Sequence, residues 1–257
     1  MQPLVSLENR TIIVTGAAQG IGKAISELVI DLGGNVVAVD LNAASLESAL
    51  SALPAARVMC VPGSVTDAQL ADETVSAAAR RFGGVHGLVN NAGITRPAMI
   101  DKMTAQQWQE VIDVHMTGSF YWTQAAGRQM IARFKDGDTT GGAIVNVSSD
   151  AGRKGSIGQI NYAAAKAGLL AMSMTAAREW ARYNIRANSI CFGVVETPMT
   201  EVVRGEKFRD GMLAQIPMNR WSTPAEVVKT VCFLLSDASS YTTGQHLAVN
   251  GGFHISL

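Results

Sequence analysis

The chain has 257 residues, with 21 basic and 21 acidic side chains. This balanced charge gives no electrostatic footprint for nucleic acid or for an anionic membrane surface. The three cysteines show no metal-ligand spacing, no apolar run could span a bilayer, and residues 1–8 lack a signal-peptide pattern, so we expect a cytoplasmic protein without a bound metal.

Short β-branched runs alternate with longer amphipathic stretches along the whole chain. The predicted strands are Thr11–Thr15, Asn35–Val39, Arg57–Val61, Gly87–Asn90, Gly142–Val147, Ile185–Ile190 and His246–Val249. The predicted helices are Ile21–Leu32, Ala43–Ala52, Ala68–Phe82, Ala105–Phe134, Tyr162–Tyr183 and Pro224–Leu235, with Thr104 and Thr223 as possible caps. Almost wholly apolar strands between helices predict one domain over residues 1–257, a doubly wound α/β Rossmann-type sheet whose strands are parallel and covered on both faces.

A glycine-rich turn joins the first predicted strand to the first predicted helix. Its glycines are Gly16, which allows a tight turn, Gly20, which lets the backbone approach a phosphate, and Gly22, which lets the helix pack on the strand. The free amides at the helix N-terminus would then face a pyrophosphate. The spacing Gly-x-x-x-Gly-x-Gly is less widespread than Gly-x-Gly-x-x-Gly, but its position predicts a dinucleotide site.

The second predicted strand is followed directly by Asp40. A carboxylate at this place accepts hydrogen bonds from the adenosine ribose and repels a 2′-phosphate. The neighbouring Gln19 and Leu41 are uncharged, so no cation is available there for NADP. These residues favour NAD as the cofactor, although a solvated aspartate at a strand end is also common.

Tyr162 and Lys166 stand four residues apart in a predicted helix and therefore share a face. A nearby ammonium stabilises a phenolate and lowers the pKa of the phenol, so the pair could exchange protons with a carbonyl or an alcohol. Taken alone, such a pair is more often part of a solvated helix face.

The glycine turn, Asn90-Asn-Ala-Gly93, Ser149 and the Tyr162/Lys166 pair, in this order, resemble the short-chain dehydrogenase/reductase family over Leu7–Gly252. The resemblance implies a single seven-stranded parallel sheet with helices on both faces, usually assembled as a tetramer. It also implies hydride exchange between a nicotinamide cofactor and a secondary alcohol or ketone.

The resemblance assigns a role to each matching catalytic residue. Tyr162 is the acid/base, Lys166 lowers its pKa and bonds the nicotinamide ribose, and Ser149 bonds the substrate oxygen. Ser148 competes with Ser149 for the cleft, and strand alternation allows only one of them to face it. The predicted cofactor-binding set is Gly16, Gln19, Gly20, Ile21, Gly22, Asp40, Leu41, Ser64, Val65, Asn91, Ala92, Gly93, Tyr162, Lys166, Val195 and Thr197. The predicted substrate-binding set is Ser149, Tyr162, Gln159 and Arg96.

Three positions depart from the family pattern. His115 replaces an asparagine that holds a water near the lysine, and it could relay protons or be a neutral core side chain. Ser64 stands where an aspartate often contacts adenine. Phe192 replaces a proline before Gly193, and its ring could lie by the nicotinamide, narrow the pocket or pack under the sheet.

The substrate is expected to contact segments 95–103, 150–159 and 199–215, with a mobile lid between Thr197 and Pro217. The overall sequence pattern is similar to that of 3-oxoacyl-(acyl carrier protein) reductases. Many sugar, polyol and cyclic-alcohol dehydrogenases share this pattern. Asp40 counts against a biosynthetic reductase, which would normally use NADPH. The alternative is a dinucleotide-sensing or scaffold protein that has lost the chemistry.

Apolar residues on the long helices and the tail 251–257 predict a homotetramer with two-fold axes.

Overall fold

A computed structural model of the protein describes residues 4–255. Residues 1–3, at the start of the segment inspected for a signal peptide, and residues 256–257, at the end of the tail expected at an interface, lie outside the described residues. None of the helices within 4–255 has the length and apolarity required to cross a bilayer.

Seven parallel strands form one sheet in the order β3-β2-β1-β4-β5-β6-β7. Their bounds are β1 Thr11–Thr15, β2 Asn35–Asp40, β3 Val58–Pro62, β4 Gly87–Asn90, β5 Gly142–Ser149, β6 Ile185–Phe192 and β7 His246–Val249. The predicted fold class is confirmed. Compared with the prediction, β2 also includes Asp40, β3 is shifted by one residue, and β5 and β6 each extend two residues further. Ser149 and Phe192 therefore lie at the carboxyl ends of paired strands.

Helices occupy the connections between the strands. Their bounds are α1 Gly20–Asp31, α2 Ala43–Leu50, α3 Ala68–Phe82, α4 Ala105–Ile112, α5 Gly118–Lys135, α6 Ala151–Lys154, α7 Ile160–Trp180, α8 Glu201–Arg204, α9 Glu206–Leu213 and α10 Pro224–Leu235. Thr104 and Thr223 cap α4 and α10, and each forms a reciprocal capping box as expected for these sequences.

Two apolar layers cover the sheet. Side chains of α1, α2 and α10 pack on one face, and side chains of α3, α5 and α7 pack on the other. Because both faces are covered, the strands are apolar at nearly every position, which explains why they do not show an alternating pattern.

The predicted helix Ala105–Phe134 contains one irregularity. A π-helical turn at Asp113–Thr117 joins α4 to α5, and His115 lies within it, almost fully buried. Turns of this type inside helices are often found at functional sites. Here the turn places the imidazole beside the cleft described below.

Candidate active site

A cleft opens at the carboxyl ends of the strands, where β1 and β4 lie side by side and the chain crosses from one half of the sheet to the other. It brings together every predicted cofactor-binding residue except Gly22. It also contains all four candidate catalytic residues, Ser149, Tyr162, Lys166 and His115.

The glycine turn has the shape that a phosphate cradle requires. Gly16 and Gly20 have φ angles of +68° and +54°, a region that favours glycine. A Cβ atom on Gly22 would lie 2.0 Å from the carbonyl oxygen of Gly16, so this residue is needed for packing behind the turn. Since α1 begins at Gly20, its free amides face the cleft and suit a pyrophosphate.

Asp40 is fixed with its carboxylate beside this turn. Oδ2 accepts a hydrogen bond from the backbone N–H of Ala18 at 3.0 Å, and Oδ1 accepts one from that of Asn42 at 3.1 Å. Each carboxylate oxygen has a further lone pair, so both can still accept bonds from ribose hydroxyls. Leu41 also lines the cleft and is 76 % exposed.

The two serines at the end of β5 have different partners. Ser149 is hydrogen-bonded to the phenol of Tyr162, and its Oγ also accepts from the backbone N–H of Ala151 at 3.2 Å. The Ser148 hydroxyl is buried and donates to the backbone carbonyl of Lys166 at 2.7 Å. Ser149 therefore faces the reacting phenol, whereas Ser148 fastens α7 to the sheet.

Tyr162 and Lys166 lie on one face of α7, and the Lys166 ammonium nitrogen is 5.5 Å from the centre of the Tyr162 ring. Burial raises the pKa of Tyr162 to about 12, against the opposing effect of the hydrogen bond with Ser149. Burial also lowers the pKa of Lys166 to about 7, and its Nζ donates to the backbone carbonyl of Val147 at 2.6 Å. Burial therefore dominates both shifts, because it disfavours the charged form of each group, and the lowering of the phenol pKa by Lys166 stays a prediction.

Among the described residues, Ile94 is the hydrogen-bond partner of the His115 imidazole. Its Nε2 lies 3.0 Å from the backbone nitrogen and 2.8 Å from the backbone oxygen of Ile94, so either tautomer has a partner there. Its ring meets the Tyr162 ring edge-on, with the centres 5.3 Å apart. A Cβ atom on Gly93 would lie 2.3 Å from the imidazole, so glycine is needed at that position.

The environment of His115 favours a neutral side chain over a proton relay. Burial and the Lys166 charge lower the pKa of His115 to about 3. Near neutral pH an imidazole with this pKa does not take up a proton. We therefore predict that His115→Asn leaves the pH–rate profile unchanged near neutrality, and a displaced limb in that profile would restore the relay hypothesis.

His115 should also make folding stability depend on pH. Its pKa is about 3 when folded and about 6.5 when unfolded, so below pH 6.5 the unfolded chain binds a proton that the folded chain does not. The contribution of neutral His115 to the free energy of unfolding is fully present above pH 6.5 and is lost as the pH falls towards 3. At pH 5 the free energy of unfolding is lower by about 2 kcal/mol because of this group. Denaturant unfolding at pH 7 and pH 5 should show a smaller difference in His115→Asn than in the wild type, and equal differences would contradict the assignment.

Two predicted substrate-binding residues, Arg96 and Gln159, are not brought to the cleft. The Arg96 guanidinium turns outward and pairs with Glu110 on α4 at 2.6 Å, because a partner lies within reach on the surface. Gln159 precedes α7 and makes no capping hydrogen bond with its side chain. Neither residue lines the cleft within the described part of the chain.

The remaining departures from the family pattern have structural explanations. Ser64 lines the cleft, where its hydroxyl bonds that of Thr66 at 2.8 Å and orders the turn after β3. Phe192 is buried in the apolar layer that contains α1 and α10, and it also lines the cleft. Of the alternatives for its ring, the structure supports packing against the sheet beneath the cleft.

Sequence reasoning missed the residues that hold the segment after β6. Thr200 donates its hydroxyl to the carbonyl of Val195, and Arg204 donates to the carbonyl of Thr197 at 3.1 Å. Met199 and Thr200, at the start of the predicted substrate segment 199–215, also line the cleft. The signal was present, since Thr197-Pro198 is a helix-start pattern, but a partner five to seven residues away is not visible in a local motif.

Comparisons with known proteins agree with this geometry. A family model described as enoyl-(acyl carrier protein) reductase matches residues 16–254. A 3-oxoacyl-(acyl-carrier-protein) reductase of Thermotoga maritima is 42% identical over 252 residues, covering 97% of this chain and 99% of that protein. An acetoacetyl-CoA reductase of Synechocystis is 36% identical over 251 residues, covering 97% and 98%. The structure of a short-chain dehydrogenase/reductase from Brucella melitensis, described as a glucose/ribitol dehydrogenase, superposes with a TM-score of 0.90 at 31% identity, covering 98% of this chain and 99% of that one.

Proposed function

The chain belongs to the short-chain dehydrogenase/reductase family, and we propose that it is an NAD-dependent enzyme that interconverts a ketone and a secondary alcohol. The observation that carries the proposal is the grouping of Ser149, Tyr162 and Lys166 at one end of a cleft whose other end has a glycine cradle and Asp40. Its shape and donor set fit a nicotinamide dinucleotide, which would supply or accept the hydride when bound.

Tyr162 is suited to act as the proton donor in carbonyl reduction. With a pKa raised to about 12, the phenol stays protonated at neutral pH and can give a proton to a developing alkoxide. Ser149 already bonds the phenol, so its hydroxyl can orient a carbonyl oxygen at the same place.

Lys166 would compensate the charge that proton transfer creates. When Tyr162 loses its proton, the phenolate lies on the same helix face as the Lys166 ammonium, and opposite charges stabilise each other strongly in a buried site. The pKa of Lys166, lowered to about 7, allows the side chain to be protonated or neutral near physiological pH.

Two classes of substrate are consistent with the relatives. The Thermotoga and Synechocystis relatives are named as reductases of 3-oxoacyl thioesters, whereas the Brucella neighbour is described as a glucose/ribitol dehydrogenase. We place a 3-oxoacyl thioester first, because the Thermotoga, Vibrio cholerae and Synechocystis relatives, which match over nearly their whole length, are named as reductases of that class.

Absorbance of the reduced nicotinamide tests the proposal directly. The purified protein should oxidise NADH in the presence of a 3-oxoacyl thioester, and a parallel panel should contain sugars, polyols and cyclic alcohols with NAD. Turnover only with the second panel would change the substrate class. Tight binding of cofactor without turnover of any substrate would favour the sensor or scaffold alternative.

The assembly and location belong to the same proposal. We propose a homotetramer, supported by exposed apolar side chains on α4, α5 and α7, namely Trp108, Phe120 and Met174. Light scattering at micromolar concentration should give about four times the monomer mass, and a monomer would refute this prediction.

We also propose a cytoplasmic location, because Cys60, Cys191 and Cys232 are free thiols.

A further inference from the structure

Asn161, the residue before Tyr162, joins three segments of the chain. Its Nδ2 donates to the backbone carbonyl of Arg96 at 3.0 Å and to that of Gln107 at 2.9 Å. Its Oδ1 accepts from the backbone N–H of Tyr162 at 2.8 Å. One amide thus connects the segment after β4, helix α4 and the first turn of α7. Asn161 is 0 % exposed, so it cannot touch a ligand in the cleft.

The amide has one orientation because all of its polar atoms are used. The first N–H groups of a helix have no partner within the helix, and Gln159 at the start of α7 provides no side-chain acceptor. Asn161 Oδ1 supplies that acceptor to Tyr162 itself. A flipped amide would direct N–H groups at the N–H of Tyr162 and oxygen at two carbonyls.

The segment that Asn161 holds, residues 94–98, leads from the cleft wall at Ile94 to the surface. It is also tied at Ile94 to His115 and at Ala98, whose N–H donates to the carbonyl of Gly158 at 2.9 Å. Ile94 lines the cleft. Between these two ties, Asn161 donates to the carbonyl of Arg96. Because Asn161 directly precedes Tyr162 in the chain, this bond links segment 94–98 to the backbone that carries the reacting phenol.

We infer that Asn161 is a positioning residue that sets the place of the Tyr162 phenol relative to the cleft wall. The inference rests on the proposed function, in which Tyr162 transfers the proton. A displacement of about 1 Å between reacting groups can cost about 100-fold in rate. Removal of the Asn161 bonds should therefore reduce kcat and leave cofactor affinity unchanged.

Two variants separate the roles of the amide. Asn161→Ala removes all three hydrogen bonds and should lower kcat by about 10- to 100-fold. Asn161→Asp keeps the shape and the acceptor for Tyr162 but replaces the Nδ2 donor with an oxygen facing two carbonyls. Its kcat should be low near about pH 8 and should partly recover on acidification, because a protonated, buried carboxyl can donate one of the lost bonds.

Ser173→Ala is the matched control on the same helix. Ser173 is equally buried, accepts from Asn146 Nδ2 at 2.8 Å and shares a bond with Ser189 at 2.7 Å. The Ser173→Ala variant should lower Tm, as the Asn161 variants do, but its kcat should stay within about twofold of the wild-type value. The inference is overturned if Ser173→Ala and Asn161→Ala lose kcat equally, if cofactor Kd weakens in parallel with kcat, or if Asn161→Asp shows no recovery at lower pH.

A crystal structure of Asn161→Ala distinguishes failure of this inference from failure of the proposed function. Absence of wild-type turnover would reject the function, but the position of the Tyr162 hydroxyl relative to Ser149 could still be measured. A displaced phenol supports the positioning role. An unmoved phenol rejects it whatever the wild type catalyses.

Discussion

Replacement of Tyr162 by phenylalanine is expected to lower turnover of any accepted ketone by about 10²- to 10⁴-fold, the range for loss of a general acid. The phenol hydroxyl is the group hydrogen-bonded to Ser149, and it is the one that would give its proton to the carbonyl oxygen. The remaining ring keeps the edge-on contact with His115, so the fold and the cofactor cradle should not change.

The measurement is single-turnover oxidation of NADH together with cofactor affinity from fluorescence. Tyr241→Phe is the matched control, because Tyr241 is fully exposed and should retain full activity. If Tyr162→Phe reduces kcat by less than about tenfold, another group donates the proton and the mechanism proposed above is wrong. If affinity for the cofactor falls as well, the Tyr162 hydroxyl also contributes to cofactor binding, the second role that the sequence predicted for this residue.

The sequence predicted the fold because its signals are local. The apolar strands, the glycine turn and the capping pattern at Thr104 each depend on residues close in the chain, and each was found where expected. The family resemblance added the order of Ser149, Tyr162 and Lys166, which the fold then brings to one cleft.

The properties that sequence could not supply depend on burial and on distant partners. The shared helix face of Tyr162 and Lys166 was correctly predicted, but the effect of burial on the pKa of Tyr162 was not foreseen, because motif spacing does not reveal desolvation. The outward turn of Arg96 depends on Glu110, fourteen residues away. The bonds of Asn161 likewise reach carbonyls 54 and 65 residues away in the chain.

Replacement of Asp40 by serine is expected to lower kcat/KM with NAD(H) by about 10- to 100-fold. A hydrogen bond to a charged acceptor contributes about 1.5–3 kcal/mol, and about 1.4 kcal/mol corresponds to a factor of ten. The carboxylate is held in place by Ala18 and Asn42 with lone pairs free for ribose hydroxyls, so its loss removes a prepared acceptor. Efficiency with NADP(H) should rise in the same variant, because a negative charge no longer repels the 2′-phosphate.

Steady-state kinetics with both cofactors measures this exchange of preference, and melting temperatures show whether the variant is folded. Asp72→Asn provides the control, since it removes an exposed carboxylate on α3 whose ion pair with Arg128 is as long as 3.7 Å. It should leave the ratio of NAD(H) to NADP(H) efficiency unchanged. A wild type that prefers NADP(H), or a serine variant with an unaltered ratio, would show that Asp40 does not select the cofactor. The 3-oxoacyl-reductase proposal would survive that result, because it depends on Ser149 and Tyr162 and not on the ribose end of the cleft.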